Sequence, residues 1–347
     1  MALFELNNIA IKGIAACVPT TKLANRDFPY HNELENKQFI KTTGIEYRRI
    51  VDEHTTASDL CLKSAEALLN KLAWNREEVK VLVFISQTPD YKIPCTATIL
   101  QHKLGLGKSC LAFDVNLGCS GYVYGLSIVG SLLEKIKGKA LLLVGDASST
   151  CISQQDKSTA PLFSDAGSAT LMEYDCLAKP MYFNLQSDGA GYDAIISKDG
   201  GARNPIGDTS FDLNPETGRR DVDMFLDGIK VFNFSRREVV PNMEELMLHY
   251  DLKKAEIDFF VFHQANKFMN DSIAKKLSLD DNKVPQSLRL FGNTGAASIP
   301  VTIADQVKKG KSLQLILSGF GVGLSWGSCA LELEDALILP IIEYGHI

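Results

Sequence analysis

Apolar residues in this chain come in short unbroken runs, separated by longer stretches in which they recur at three- and four-residue steps. "VKVLVFIS" (79–86) and "ALLLVGD" (140–146) are continuous enough for buried strands, and "FDVN" (113–116) is a shorter piece of the same kind. Between them, Val123, Leu126, Val129, Leu133 and Ile136 lay one apolar stripe along "SGYVYGLSIVGSLLEKIKGK", a helix that Lys137-Gly138-Lys139 should stop. This rhythm predicts a layered α/β architecture with much parallel sheet. Cys119, in "NLGCSGY" (116–122), falls at the turn from strand to helix.

The pattern also repeats. "FISQ" ends at Gln87 and "VFHQ" at Gln264, each closing an apolar run; "NLGCSGYVYGL" starts at Asn116 and "NTGAASIPVTI" at Asn293. Both pairs are separated by 177 residues, which predicts a duplicated α/β unit divided near residue 176, as 1–176 and 177–347. Equivalent strand ends would then converge across a pseudo-twofold axis, bringing Cys119 to face His263 and Asn293. The polar, turn-rich segment 200–221 reads as an excursion on the second unit.

Composition narrows the function without naming it. At 347 residues with 45% hydrophobic and 22% charged, the chain is ordinary globular protein with room for a large interior. A formal charge of -6 disfavours general nucleic-acid binding, which relies on cations neutralising phosphates. Eight cysteines occur without a C-x-x-C pair, and read as reduced thiols in a cytoplasmic protein with no metal site. The N-terminus lacks the basic opening of a signal peptide, and no apolar run is long enough to span a membrane.

The candidate chemistry centres on Cys119. A cysteine at a helix start meets unpaired backbone N–H groups and the positive end of the helix dipole, both of which favour thiolate. Flanking glycines let a substrate carbonyl approach the backbone. His263 closes the apolar run "IDFFVFHQAN", and Asn293 stands in "FGNTGAAS", where capping a helix is the plain alternative. A thiolate attacking an acyl thioester, with imidazole and carboxamide donating to a carbonyl oxygen, makes a coherent set. The glycines of "LSGFGVGLSWGSCALELE" precede a strand-like run rather than a helix, which argues against a dinucleotide cofactor and for an oxyanion-hole amide. Asp165 in "LFSDAGSA" reads as a turn-forming aspartate.

Taken in order, "TTGIEYRR" (42–49), "FDVNLGCSGY", "FSDAGSA", "HQAN" (263–266), "GNTGAAS" (292–298) and "GFGVGLSWGS" (319–328) resemble the β-ketoacyl-acyl-carrier-protein synthase III family of the thiolase superfamily. The resemblance spans nearly the whole chain. It implies a thiolase-like fold whose duplicated halves form five α-β-α-β-α layers, and a catalytic triad of Cys119, His263 and Asn293. It further implies an oxyanion hole from the amides of Cys119 and Val322, and substrate contacts at Ile93, Lys157, Phe163, Gln264 and Asn266. An acyl primer would load onto Cys119, and a malonyl-carrier thioester would lose carbon dioxide and condense with it. Acyl carrier protein would dock on Lys267, Lys275 and Lys276 of a homodimer, with no metal or redox cofactor.

Departures from the family concern substrates. The tryptophan and arginine that help hold coenzyme A in housekeeping members align with Gln38 and Thr42, and a further arginine with Lys157. This implies a weaker coenzyme A grip and a primer delivered on a carrier. Ile93 in "KIPC" replaces a phenylalanine that reaches into the partner subunit's acyl pocket, a change that admits a different primer. Other expected basic positions become Asn233 and Phe268, with Arg236 and Arg237 nearby, and "DALILPIIEYGHI" runs past where family members often end, its apolar residues read as covering a surface groove. Two alternatives stand beside the condensing enzyme: an acyltransferase of the same fold without decarboxylation, and a silent carrier-binding subunit. A degradative thiolase is disfavoured because "GFGVGLSWG" lacks a second cysteine.

Overall fold

The computed structural model describes residues 2–307 and 310–345. The strands of its two large sheets begin with β1 (Ala2–Leu6), β2 (Ile9–Pro19), β3 (Val79–Ile85), β4 (Leu111–Val115), β5 (Lys139–Asp146) and β6 (Ala166–Tyr174). Those that follow are β7 (Met181–Ser187), β8 (Phe259–Phe262), β9 (Ser312–Gly321), β10 (Ser325–Glu334), β11 (Leu337–Ile338) and β12 (Ile342–Tyr344). The helices that build the layers are α1 (Ala57–Lys71), α2 (Thr96–Lys103), α3 (Gly121–Ile136), α4 (Val240–His249), α5 (Lys267–Lys276) and α6 (Ser298–Gln306).

The strands form two large sheets with one repeated design. In the first, β2, β6, β5 and β3 are neighbours in that order, and β4 forms the far edge beyond β3. In the second, β7, β10, β9 and β8 follow one another in the same way. In both series the first two contacts are antiparallel and the third parallel. The expected duplication is therefore written in strand order as well as in motif spacing. No second-half counterpart of β4 forms: the corresponding residues include a single helical turn, Leu288–Phe291.

Alternation along the strands explains the layers. In β5, Leu142 and Val144 join a central apolar cluster with α3 and α6, while Leu141 and Leu143 turn to the opposite face beneath α1 and α2. In β9, Leu315 and Leu317 face the same central cluster, whereas Ile316 and Phe320 pack beneath α4 and α5. The order is thus helix, sheet, helix, sheet, helix, the thiolase-like arrangement. The helix α3 ends as expected, but the left-handed residue is Lys137 (φ 52°, ψ 57°), whose N–H donates to Leu133 O. Gly138 serves a different need, since a Cβ there would lie 2.9 Å from Lys80 Cγ.

Sheet membership departs from a cut at residue 176 at both ends of the chain. β1 pairs with β7 and belongs to the second sheet, where Phe4 stacks on fully buried Phe183 with ring centroids 5.2 Å apart. Burying such a ring contributes about 1.5–3 kcal/mol. At the other end, β11 and β12 both run parallel to β2 and extend the first sheet. The C-terminal apolar residues therefore add strands at a sheet edge instead of covering a groove, and Glu343 pairs with Arg49 at 2.9 Å. His346 and Ile347, the last of that stretch, lie outside the described residues. The 200–221 excursion also crosses over: Arg219 approaches Asp156 at 3.6 Å, and Lys92 Nζ donates to Gly200 O, so it leans on first-half loops.

Candidate active site

Cys119 follows β4 in the turn that opens α3, and the end of β9 from the other half closes over it. A Cβ on Gly321 would lie 2.7 Å from both Cβ and Sγ of Cys119, and one on Gly319 would lie 3.0 Å from Cys119 O. These glycines therefore let the second half's own backbone meet the cysteine, where the sequence suggested room for substrate around it. Ser120 Oγ and Ser325 Oγ, 2.7 Å apart, tie the two segments just beyond.

The second half contributes His263 at the end of β8. Its N–H donates to Ser318 O at 2.8 Å, and its ring stands edge-on to Phe320, centroids 5.6 Å apart. Nδ1 lies 2.7 Å from Ser298 Oγ, at the start of α6. That hydroxyl also accepts from Gln264 N at 3.3 Å. The contact fixes the ring's orientation, with Nδ1 turned to Ser298. Burial pushes the imidazole down to about 3, weakly opposed by a backbone contact with Gly295, so the ring is neutral at physiological pH.

Asn293 is held by both halves. Its N–H donates to Leu162 O at 3.1 Å, and its carbonyl accepts from Ser164 N at 2.8 Å, a short parallel bridge beside Phe163. Its Oδ1 accepts from Gly295 N at 3.0 Å, which leaves Nδ2 as the side chain's donating group. Cys119, His263 and Asn293 share the wall of one cavity of about 60 Å³, together with Phe163 and Asn266. A second cavity, of about 220 Å³, opens on the other side of Cys119 and includes Phe163, Val322 and Ser197. Cys119 thus borders both chambers.

Electrostatics alter one sequence expectation. Burial pushes the Cys119 thiol up to about 11, while backbone hydrogen bonding from Val322, and more weakly from its own amide, pulls the other way. The helix start does not deliver a resting thiolate, because desolvation outweighs it. The two amides directed at the sulfur are the pair expected for an oxyanion hole.

Other anticipated residues divide by location. Gln264 is fully buried with its amide donating to Phe262 O and accepting from Ser287 N, and it lies outside the walls of both cavities. Its role is to hold backbone. Asn266 both lines the smaller cavity and caps α5 by accepting from Met269 N. Lys157 lies with Gln38 and Thr42 at a separate open hollow, while Ile93 is 89% exposed and touches neither cavity. Lys275 and Lys276 are exposed on α5, with Lys276 Nζ donating to Arg236 O, and Lys267 pairs with Asp271. Asp165 is no surface turn: it is fully buried, accepts from Ser149 and Val51 amides, and is pushed up to about 6 by burial.

Two functional neighbours escaped sequence reading. Ser298 sits inside the quoted "GNTGAAS", yet only the fold shows that it orients the His263 ring. Asp146 ends "LLLVGD" and joins the halves, its Oδ1 accepting from Gln87 N at 2.7 Å and its Oδ2 from Ala296 N at 3.0 Å. No group of three or more His, Cys, Asp or Glu among the described residues is arranged to hold a metal ion.

Comparison with known proteins now bears on this geometry. The sequence model described as 3-oxoacyl-[acyl-carrier-protein (ACP)] synthase III matches residues 113–189, and that of its C-terminal part matches residues 248–333. A putative 3-oxoacyl-[acyl-carrier-protein] synthase 3 from Campylobacter jejuni is 33% identical over 342 residues, covering 96% of both chains. The chain belongs to the 3-oxoacyl-[acyl-carrier-protein] synthase III family. It is accordingly an acyltransferase of the condensing type. The β-ketoacyl-[acyl-carrier-protein] synthase III of Streptococcus mutans is 31% identical, over 93% of this chain and 98% of the relative. A 3-oxoacyl-(acyl-carrier protein) synthase from Burkholderia xenovorans superimposes with a TM-score of 0.93 at 37% identity, covering 99% of each chain.

The raised Cys119 pKa has a direct kinetic consequence. Below about 11 the thiolate fraction grows roughly tenfold per pH unit, so iodoacetamide should alkylate Cys119 steadily faster from pH 7 to pH 10. Intact mass against time at each pH measures this, and a plateau below pH 8 would contradict the burial argument.

Proposed function

We propose that this enzyme transfers an acyl primer from a thioester to Cys119 and condenses it, with loss of carbon dioxide, with a malonyl unit on acyl carrier protein. The observation that carries this reading is the shared cavity of Cys119, His263 and Asn293, with the Val322 amide directed at the sulfur. In the loading step Sγ forms a bond to the primer carbonyl carbon, the donor's C–S bond breaks, and the thiol proton ends on the released donor thiol. The carbonyl oxygen, negative in the tetrahedral intermediate, accepts from the Cys119 and Val322 amides.

In the second step the malonyl C–C bond breaks and carbon dioxide leaves. The electron pair delocalises onto the thioester oxygen, which accepts from His263 Nε2–H and Asn293 Nδ2–H. A permanently neutral imidazole suits this role, because it donates without first needing a proton. The enolate carbon then attacks the acyl carbon on Cys119, and the sulfur departs to give a 3-oxoacyl thioester. Carbon dioxide loss supplies the driving force, and the reaction calls for no metal or redox cofactor.

The donor arm enters past Asn266, on the side where α5 presents Lys275 and Lys276, so we assign carrier docking to that face. Lys267 has a weaker claim, its charge being met by Asp271. We further propose a homodimer formed through β4, the edge strand of the first sheet, where Leu111 is 46% exposed. Burial of that edge would also cover Ile93, the residue the family resemblance sends toward a partner. The eight cysteines are all free, which supports a reducing, cytoplasmic setting. No helix of the described residues is long and apolar enough to cross a membrane.

Three measurements test this reading. His263→Ala and Asn293→Ala should each lower carbon dioxide release from malonyl-carrier protein by about 10²–10³-fold, the usual cost of one such donor, while intact mass still shows primer on Cys119. Normal condensation by either variant would remove that residue from the mechanism, and acyl loading without any carbon dioxide in the unaltered enzyme would favour the non-decarboxylating acyltransferase. Lys275→Glu with Lys276→Glu should raise KM for malonyl-carrier protein several-fold and leave loading from acyl-coenzyme A unchanged; an unaltered KM sinks the docking assignment. Sedimentation equilibrium should give twice the chain mass, with Leu111→Arg shifting it toward monomer, whereas a monomeric parent protein would refute the dimer.

A further inference from the structure

The larger chamber beside Cys119 has a wall that an alkyl primer would not use. Gln87, Asn116, Ser148 and Ser197 all line it, and none of these four side chains hydrogen-bonds to another of the described residues. They come from four separate parts of the fold: the end of β3, the turn after β4, the loop following β5 and the loop preceding the excursion. Gln87 is closest to the chemistry, since a Cβ on Gly118, the residue before the nucleophile, would collide with its Oε1. Hydrogen-bonding groups left facing a chamber are hydrated when it is empty, and an alkyl chain would displace that water without replacing its bonds.

The ionic character of the wall narrows the occupant. No Lys, Arg or His lines the chamber, so an acyl group ending in a carboxylate would find no counter-charge. Asp146 is the one acidic residue there, and its oxygens already accept from Gln87 N, Ser86 Oγ and Ala296 N. That leaves neutral polar groups on this wall, facing apolar Phe163, Ile195, Ile196, Met224 and Val322. A volume of about 220 Å³ lies below the common range for drug-sized ligands, which suits a short chain.

Resting on the proposed loading of Cys119, we infer that the physiological primer is a short acyl group bearing a neutral hydrogen-bonding substituent, such as a hydroxyl. The substituent is read by Gln87 and Asn116, with Ser148 and Ser197 completing the wall. Because Gln87 and Asn116 are well exposed in the empty chamber, water compensates them in part. Discrimination is therefore set at about tenfold, well short of the 10⁴-fold seen when a buried polar site loses its partner.

The test compares Cys119 acylation by butyryl, 3-hydroxybutyryl and succinyl thioesters, each offered on coenzyme A and on holo-acyl carrier protein, with intact mass giving kcat/KM. The 3-hydroxybutyryl group should load about tenfold faster than butyryl, and succinyl slowest. Asn116→Leu and Gln87→Leu, examined separately, should each bring the hydroxyacyl-to-acyl ratio toward one; a ratio taken on one preparation is insensitive to the fraction folded. Butyryl loading as fast as 3-hydroxybutyryl, or succinyl matching it, would overturn the inference while leaving Cys119 an acyl acceptor. A preference that survives both substitutions would equally overturn the assignment to this wall. Loading by none of the three would overturn the inference together with the condensing function on which it rests.

Discussion

The active site depends on one close approach: the end of β9 passes so near Cys119 that only glycine fits at position 321, where a Cβ would lie 2.7 Å from the nucleophilic sulfur. This contact does three things at once. It brings the Val322 amide to the sulfur, limits the thiol's access to water and closes one half of the molecule on the other. Partial desolvation keeps the resting thiol protonated, and in the proposed reaction the same enclosure would strengthen the amides once charge reaches an oxygen. A reluctant nucleophile and a strong oxyanion hole are therefore two results of one packing decision.

Around that contact the two halves divide the labour. The first supplies Cys119, the proposed nucleophile, and, through residues 162–164, a backbone bridge for Asn293. The second supplies the donors, with Ser298 orienting His263 and Gly295 N turning Asn293. Asp146 crosses the divide with one carboxylate oxygen on each side. None of these groups is positioned by its own strand alone, so the geometry requires both halves to be folded together.

Much of this was legible in the chain before folding. The 177-residue offset foretold the duplication, and strand-end residues at equal spacing pointed to the convergence of Cys119 with His263 and Asn293. What escaped were properties that arise only when distant segments meet. Cys119 looked activated because a helix start is a local feature, whereas its burial comes from β9, some 200 residues later in the chain. Gln264 looked like a site residue because it adjoins His263, but successive side chains at a strand end point opposite ways. Ile93 and Lys157 were placed by family resemblance, and in the single chain they lie at separate surfaces. The strand exchange at the termini left no trace in local patterning, because β1, β11 and β12 read as ordinary apolar segments whichever sheet they join.

That exchange has a consequence for how the molecule holds together. Each end of the chain is stitched into the sheet built mainly by the opposite half, so the two repeats are clasped rather than merely stacked. Units joined by a single linker can loosen independently, but here opening either half strips an edge strand from its neighbour. The duplicated ancestry visible in strand order has thus been overwritten by interdependence. The protein carries two copies of a motif yet behaves mechanically as one body, and damage at either extremity is transmitted to the half that lies farthest from it in sequence.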